Sequence, residues 1–115
     1  MAESPLFVKT YDLLQWLIPH TTKFPREHRF VLAKRVQESA FAFYDTIVRA
    51  GLASDAAEKQ DLLREADVTL HTLRLNIRLS KDLALLKEDS YAHAAQLLTE
   101  IGHLLGGWHK SLGQA

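Results

Sequence analysis

Residues 61–87 read DLLREADVTLHTLRLNIRLSKDLALLK, and this stretch decides the fold. Leu63, Ala66, Leu70, Leu73, Ile77, Ser80 and Ala84 recur in steps of 3, 4, 3, 4, 3 and 4. That period is the seam of a helix packed lengthwise against other helices. A second apolar set, Val68, Leu75, Leu79, Leu83 and Leu86, lies about 150° around the same helix at 100° per residue. A helix resting on one core needs a single apolar stripe, so the second face calls for another partner.

Working outward, Ser54 reads as the N-cap of this helix, with Glu58 one place beyond the capping-box position. The helix is expected to run to about Lys87, roughly 50 Å at 1.5 Å per residue. A first helix is expected from about Pro5 to Ile18, closed by Pro19, and a loop from Pro19 to Phe24. A second helix spans about Pro25 to Ala50, with Gly51 as its C-cap. A fourth begins near Asp89 or Ser90 and stops at Gly106-Gly107. No sustained strand alternation occurs. The expected fold is therefore all-α, an antiparallel up-down four-helix bundle forming one domain over 1–115.

The second helix is also apolar on more than one side. Phe30, Ala33, Ala40, Phe41, Tyr44, Ile47 and Val48 form one broad face, and Leu32, Val36 and Phe43 widen it. Either both helices are central in the bundle, or the extra faces bury against other copies of the chain, as exposed apolar patches usually must. On the second reading the oligomer interface comprises Leu32, Val36, Phe43, Leu75, Leu79 and Leu83. Trp108, beyond the Gly106-Gly107 stop, folds back onto apolar surface or onto a neighbouring subunit.

Composition narrows the function classes. The 115 residues carry 14 basic and 14 acidic side chains, a formal net charge of zero, and no cysteine. There is no thiolate chemistry, and a reducing cytoplasm fits. The opening Met1-Ala2-Glu3-Ser4-Pro5 lacks the basic n-region of a signal peptide, and no run approaches a membrane span. A di-iron bundle needs two Glu-x-x-His motifs and two further inward glutamates; only Glu100 and His103 match. Asp67 and His71 share a helical face, but two ligands are too few for a metal. No glycine-rich phosphate loop or strained nucleophile turn is visible. No catalytic site, metal or cofactor is expected, although a triad can assemble from distant residues.

One basic feature stands out. Arg74, Arg78 and Lys81 follow in steps of 4 and 3, with His71 beside them and no acid between Thr69 and Lys81. This strip is either a solvated charged face or a row of cations that neutralises successive phosphates. Arg26, Arg29 and Arg35, with Lys23 and Lys34, form a second cluster whose only acid is Glu27. Asp55, Glu58, Asp61, Glu65 and Asp67 gather early in the third helix, so neutrality overall hides a polarised chain.

These residues carry a resemblance. Tyr11-Asp12-Leu13 with Trp16-Leu17 and Lys23-Phe24-Pro25-Arg26 resembles the start of the accessory variability determinant family of diversity-generating retroelements. Leu73-Arg74-Leu75 and Ile77 to Leu83 resemble that family's third helix. Ala94-Ala95, Leu97-Leu98, Glu100-Ile101-Gly102 and Leu104 to Trp108 resemble its ending. A broader relative is the ribosomal-RNA intervening-sequence family of four-helix bundles. The resemblance implies a four-helix protomer in a barrel-like homopentamer. It implies a non-catalytic accessory subunit that binds a reverse transcriptase and RNA or DNA, namely template RNA or an RNA-DNA hybrid, during mutagenic copying. Arg74, Arg78 and Lys81 fall where that family's third helix is basic. Family members are often strongly basic and this chain is neutral, so the polymerase is expected to supply part of the positive surface. The alternative is a structural or RNA-binding oligomer of the intervening-sequence type with no polymerase partner.

Overall fold

A computed structural model describes residues 4–113, and these form four helices and no strand. Helix α1 is Pro5–Thr22. Helix α2 runs without a break through Arg26–His28, a π turn at Arg29–Ala33, and Lys34–Leu52. Helix α3 is Ala56–Asp82 and α4 is Glu88–Gly113. The acidic start Met1–Glu3, on which the signal-peptide reading bears, and the last two residues lie outside the described residues.

The seam read from the sequence is the interior. Leu63, Ala66, Leu70, Leu73, Ile77 and Ser80 are all buried, and they meet Val36, Ala40, Phe43, Ile47 and Ala50 of α2 in one core with Leu13 and Leu17 of α1 and Ile101 and Leu105 of α4. Ser80 is tolerated there because its hydroxyl donates to the Asn76 carbonyl at 2.8 Å. Thr10 and Thr46 do likewise, to Leu6 and Ala42. A buried hydroxyl so engaged avoids the penalty of an unpaired polar group.

Contacts between helices run in opposed order. Along α1, Phe7 meets Trp108, Lys9 meets Glu100 and Trp16 meets His93. Phe7 also meets Tyr44, whereas Thr21 meets Gln37. Arg49 faces Glu65 across α2 and α3, and Asp67 faces His109 across α3 and α4. The turns at 23–25 and 83–87 therefore share one end of a body 47 Å long and 24–25 Å across.

Five boundaries differ from the sequence reading. Pro19 does not end α1. It lacks the N–H that would bond Gln15, yet the helix reaches Thr22. Thr21 and Thr22 hydroxyls donate to the Leu17 and Ile18 carbonyls, and His20 Nδ1 lies 2.7 Å from the Trp16 carbonyl. A carbonyl only accepts, so that nitrogen carries a proton; the ring stacks on Trp16 at 3.9 Å. Gly51 is inside α2, which ends at Leu52 with Ala53 as its C-cap, and Lys59 Nζ donates to the Ala50 and Gly51 carbonyls left open there. The N-cap of α3 is Asp55, not Ser54: its carboxylate accepts from Glu58 N at 2.7 Å, which puts Glu58 at the proper capping-box position. Gly106 and Gly107 do not stop α4. Each weakens a helix by about 1 kcal/mol relative to alanine, but Trp108 and Leu112 pack onto the core and carry the helix past them.

Helix α3 ends at Asp82 rather than Lys87, so it has 27 residues. Leu85 N donates to the Ser80 carbonyl at 2.8 Å and Ala84 N to the Lys81 carbonyl at 2.9 Å, the two bonds of a Schellman motif. Ala84 holds the left-handed position at φ 62° and is exposed, so it does not extend the seam. Leu86, assigned to the second apolar face, is buried beyond this turn.

The assigned interface also changes. Leu32, Val36 and Phe43 are buried in the protomer's own core and have no surface to offer a neighbour. Their side of α2 is its inner face. Of the broad face read on α2, Ala33, Ala40 and Ile47 are buried, whereas Phe30, Phe41 and Tyr44 are exposed. The inner face instead repeats through Ala33, Val36, Ala40, Phe43, Ile47 and Ala50, where alanines let α2 and α3 approach closely. Trp108 packs within the protomer against Phe7, with ring centroids 6.4 Å apart. Leu75, Leu79 and Leu83 remain exposed, with Val68 beside them.

Two measurements probe these features. Ala84→Gly removes a side chain from a left-handed position that disfavours it by roughly 1–2 kcal/mol, partly offset by glycine's entropy; a net gain of about 0.5–1 kcal/mol should appear in denaturant melts. Lys9 Nζ lies 2.8 Å from Glu100 Oε2, and this contact holds the carboxyl below its ordinary value of 4.5. A depressed carboxyl adds stability above its unfolded pKa and loses it as pH falls through the folded one. Glu100→Gln should accordingly flatten the loss of melting temperature below pH 4.5. An unchanged acid profile would show that the pair is inert.

Candidate nucleic-acid interface

The strip Arg74, Arg78 and Lys81 runs along the α3 side that meets α4. A turn of helix separates each cation from the next, as the spacing requires. The structure supplies what the sequence interval lacked: acids from outside it. Arg78 Nε is 3.8 Å from Asp82, and Lys81 Nζ is 3.7 Å from Glu88 at the start of α4. Both pairs are long, Lys81 is half-buried and the other three side chains are exposed, and such pairs are worth about 0–1 kcal/mol each. Lys81 also sits 5.0 Å over the Tyr91 ring.

Arg74 is held differently. Its Nη2 donates to the Leu98 carbonyl at 3.0 Å, across the helix interface. It passes over Gly102, where a Cβ would stand only 2.5 Å from Nη2. Glycine inside α4 thus makes the space through which the guanidinium reaches the α4 backbone. The remaining N–H groups border two grooves. One, about 340 Å³, is lined by Arg74, Leu75, Arg78, Tyr91, Leu98 and Thr99. The other, about 280 Å³, contains His71 with Asp67, Thr99, Gly102 and His103. His71 therefore joins the strip through Arg74.

The second basic cluster divides. Arg26 and Arg29 stand at the start of α2, the end of the bundle shared with Lys81, and Arg29 Nε donates to the Phe24 carbonyl at 3.1 Å. Arg35 lies on the opposite side of α3 from Arg74, in a groove with Thr69, Thr72 and Asn76. No single basic surface gathers all six arginines and lysines assigned to nucleic acid. The acidic stretch is likewise muted: Asp61 pairs with Arg64 at 2.7 Å and Glu65 with Arg49 at 3.8 Å. Among the described residues, no three His, Cys, Asp or Glu side chains gather as metal ligands, and no helix is long and apolar enough to cross a membrane.

The α4 members of the interface, Tyr91, Leu98, Thr99 and Gly102, were missed by sequence reasoning. They are apolar or uncharged, and only Gly102, a helix-weakening residue amid apolar ones, gave any signal.

The sequence profile of the bAvd-like family matches residues 6–112. The chain belongs to that family. Its members are the accessory variability determinants of diversity-generating retroelements. The match covers all four helices, including the Arg74 strip and its α4 wall. No curated protein matches the chain.

The link between Arg74 and Gly102 is open to a double-mutant cycle. Arg74→Met is expected to cost about 1 kcal/mol by removing the bond to Leu98. In a Gly102→Ala background, where the guanidinium is already displaced, the same change should cost nearly nothing. Equal costs in both backgrounds would mean that the glycine does not position the arginine.

Proposed function

We propose that this chain is a non-catalytic accessory subunit of a retroelement reverse transcriptase. It acts in the cytoplasm, as an antiparallel up-down bundle that assembles with copies of itself and contacts template RNA or the RNA-DNA hybrid. Family membership over residues 6–112 supports the accessory role. The observation that carries the nucleic-acid reading is the Arg74, Arg78 and Lys81 strip. Its cations are a turn apart, and Arg78 and Lys81 are tied only by loose surface pairs. Arginine's planar fork suits phosphate oxygens.

Assembly is supported by two exposed apolar patches. Val68, Leu75, Leu79 and Leu83 form one on α3. Phe30, Phe41 and Leu52, spaced along α2, are the other exposed apolar set. Two different patches facing different ways pair head to tail, and a head-to-tail contact that closes makes a ring. On the family resemblance we take that ring to have five members. Zero net charge means weak, salt-sensitive binding by the protein alone, with the polymerase supplying further positive surface.

Changing Arg74, Arg78 and Lys81 together to glutamine should lower the slope of log affinity against log salt by about 2–3. cDNA synthesis by the co-purified polymerase should fall with it, while light scattering still reports a mass near five chains. Sequence preference should barely move, because phosphate contacts carry no base information. A triple variant that binds template and supports synthesis like the parent would make the strip a solvated face. RNA binding without any polymerase association would instead favour the intervening-sequence type of oligomer.

A further inference from the structure

The groove of about 340 Å³ between α3 and α4 holds more than cations. Most of its wall is apolar, from Leu75 of α3 and from Tyr91, Ala95 and Leu98 of α4. Arg74 and Arg78 supply its charge, and among the described residues no side chain that lines it is acidic. An apolar wall gives the oxygens of a phosphate nothing to bond with, so a row of phosphates does not account for this groove. A flat aromatic group does. It buries its faces against leucine and tyrosine and stacks on guanidinium planes. Arg74 is prepared for such a group. Its bond to the Leu98 carbonyl at 3.0 Å ties one edge of the guanidinium, and Gly102 leaves the path open, so the planar cation is held at the groove in advance. Arg78 belongs both to the groove and to the strip, and Lys81 lies 5.0 Å from the centre of the Tyr91 ring. A group seated in the groove therefore adjoins the row of cations.

We propose that the α3–α4 groove takes one unpaired base of a nucleic-acid strand, seated against Tyr91, Leu98 and the Arg74 guanidinium, with the adjoining backbone along Arg78 and Lys81. The inference rests on the nucleic-acid reading of the Arg74 strip and adds to it. The strip alone meets phosphates, which a single strand and a duplex share. A base inside a duplex is covered on both faces by its neighbours and enters such a groove only when it is extruded. The groove therefore selects single-stranded nucleic acid over paired strands. Stacking on aromatic and guanidinium groups accepts every base, so little sequence preference accompanies it.

The test compares two labelled probes by fluorescence anisotropy on the intact chain at low salt. One is decathymidylate, and the other is the abasic strand with the same number of phosphates. The parent should bind decathymidylate about fivefold or more tighter than the abasic strand. Tyr91→Leu, which keeps the apolar bulk and removes the ring, should weaken decathymidylate and leave the abasic strand unchanged. Ala95→Leu, which fills the groove from a half-buried position in α4, should do the same. Thermal melts of both variants check that the bundle is intact, and the comparison of strands on the parent needs no variant at all. Equal binding of the two strands by the parent, or folded variants that bind decathymidylate like the parent, would overturn the base site. If the triple glutamine change then still weakens both strands, the phosphate reading of the strip stands without it. If neither strand binds, the base site and the strip fall together.

Discussion

Everything in this protein depends on the seam where α2 and α3 touch. Ala40, Ala50 and Ala66 are fully buried there beside Phe43, Ile47, Leu63, Leu73 and Ile77. Alanines bring the two backbones close, and the larger residues interlock around them, the close packing that gives a core its fixed shape. Because α3 is anchored along one side, its other sides stay at fixed angles to the rest. One carries cations toward α4, one carries leucines outward, and one borders the groove with Asn76. A looser seam would let these faces rotate relative to α4, and the bond from Arg74 to the Leu98 carbonyl, which spans the two helices, would be lost.

Much of the fold was legible in the sequence because heptad spacing is a direct imprint of lengthwise packing. The seam of α3 was read correctly from Leu63 to Ser80. The inner face of α2 was read only in part: Ala33, Ala40 and Ile47 belong to it, but Phe30, Phe41 and Tyr44 were grouped with them, and Leu32, Val36 and Phe43 were assigned outward. Helix ends were misjudged where tertiary packing overrides local preference. Gly106 and Gly107 look like a stop, yet Trp108 against Phe7 supplies the burial that keeps α4 helical. Pro19 looks like another, yet side-chain donors from the last turn cover the carbonyls around it. The end of α3 failed for the opposite reason: a leucine-rich run hides a left-handed alanine, and nothing in the pattern marks it.

The candidate site was half visible. The cations of one helix announce themselves through spacing. Their partners on α4 do not, because Gly102 and Leu98 matter through absence of bulk and through a backbone carbonyl. Acids from Asp82 and Glu88 were equally hidden, one just past the basic interval and one in the next helix. The outcome is a surface whose positive charge is held in reserve by weak pairs, which fits a neutral chain better than a bare basic patch would.

The π turn at Arg29–Ala33 has a consequence for how the N-terminal part of α2 is aimed. A π turn adds one residue to an otherwise regular helix, and one residue is about 100° of rotation. Everything ahead of it, including Arg26 and Arg29, is therefore turned relative to the inner face that begins at Leu32. Losing a single residue from this turn would leave the core of α2 in register while sweeping the two arginines around the helix axis. The turn acts as an angular offset, and it lets the orientation of the charged tip change in evolution without disturbing the packing below.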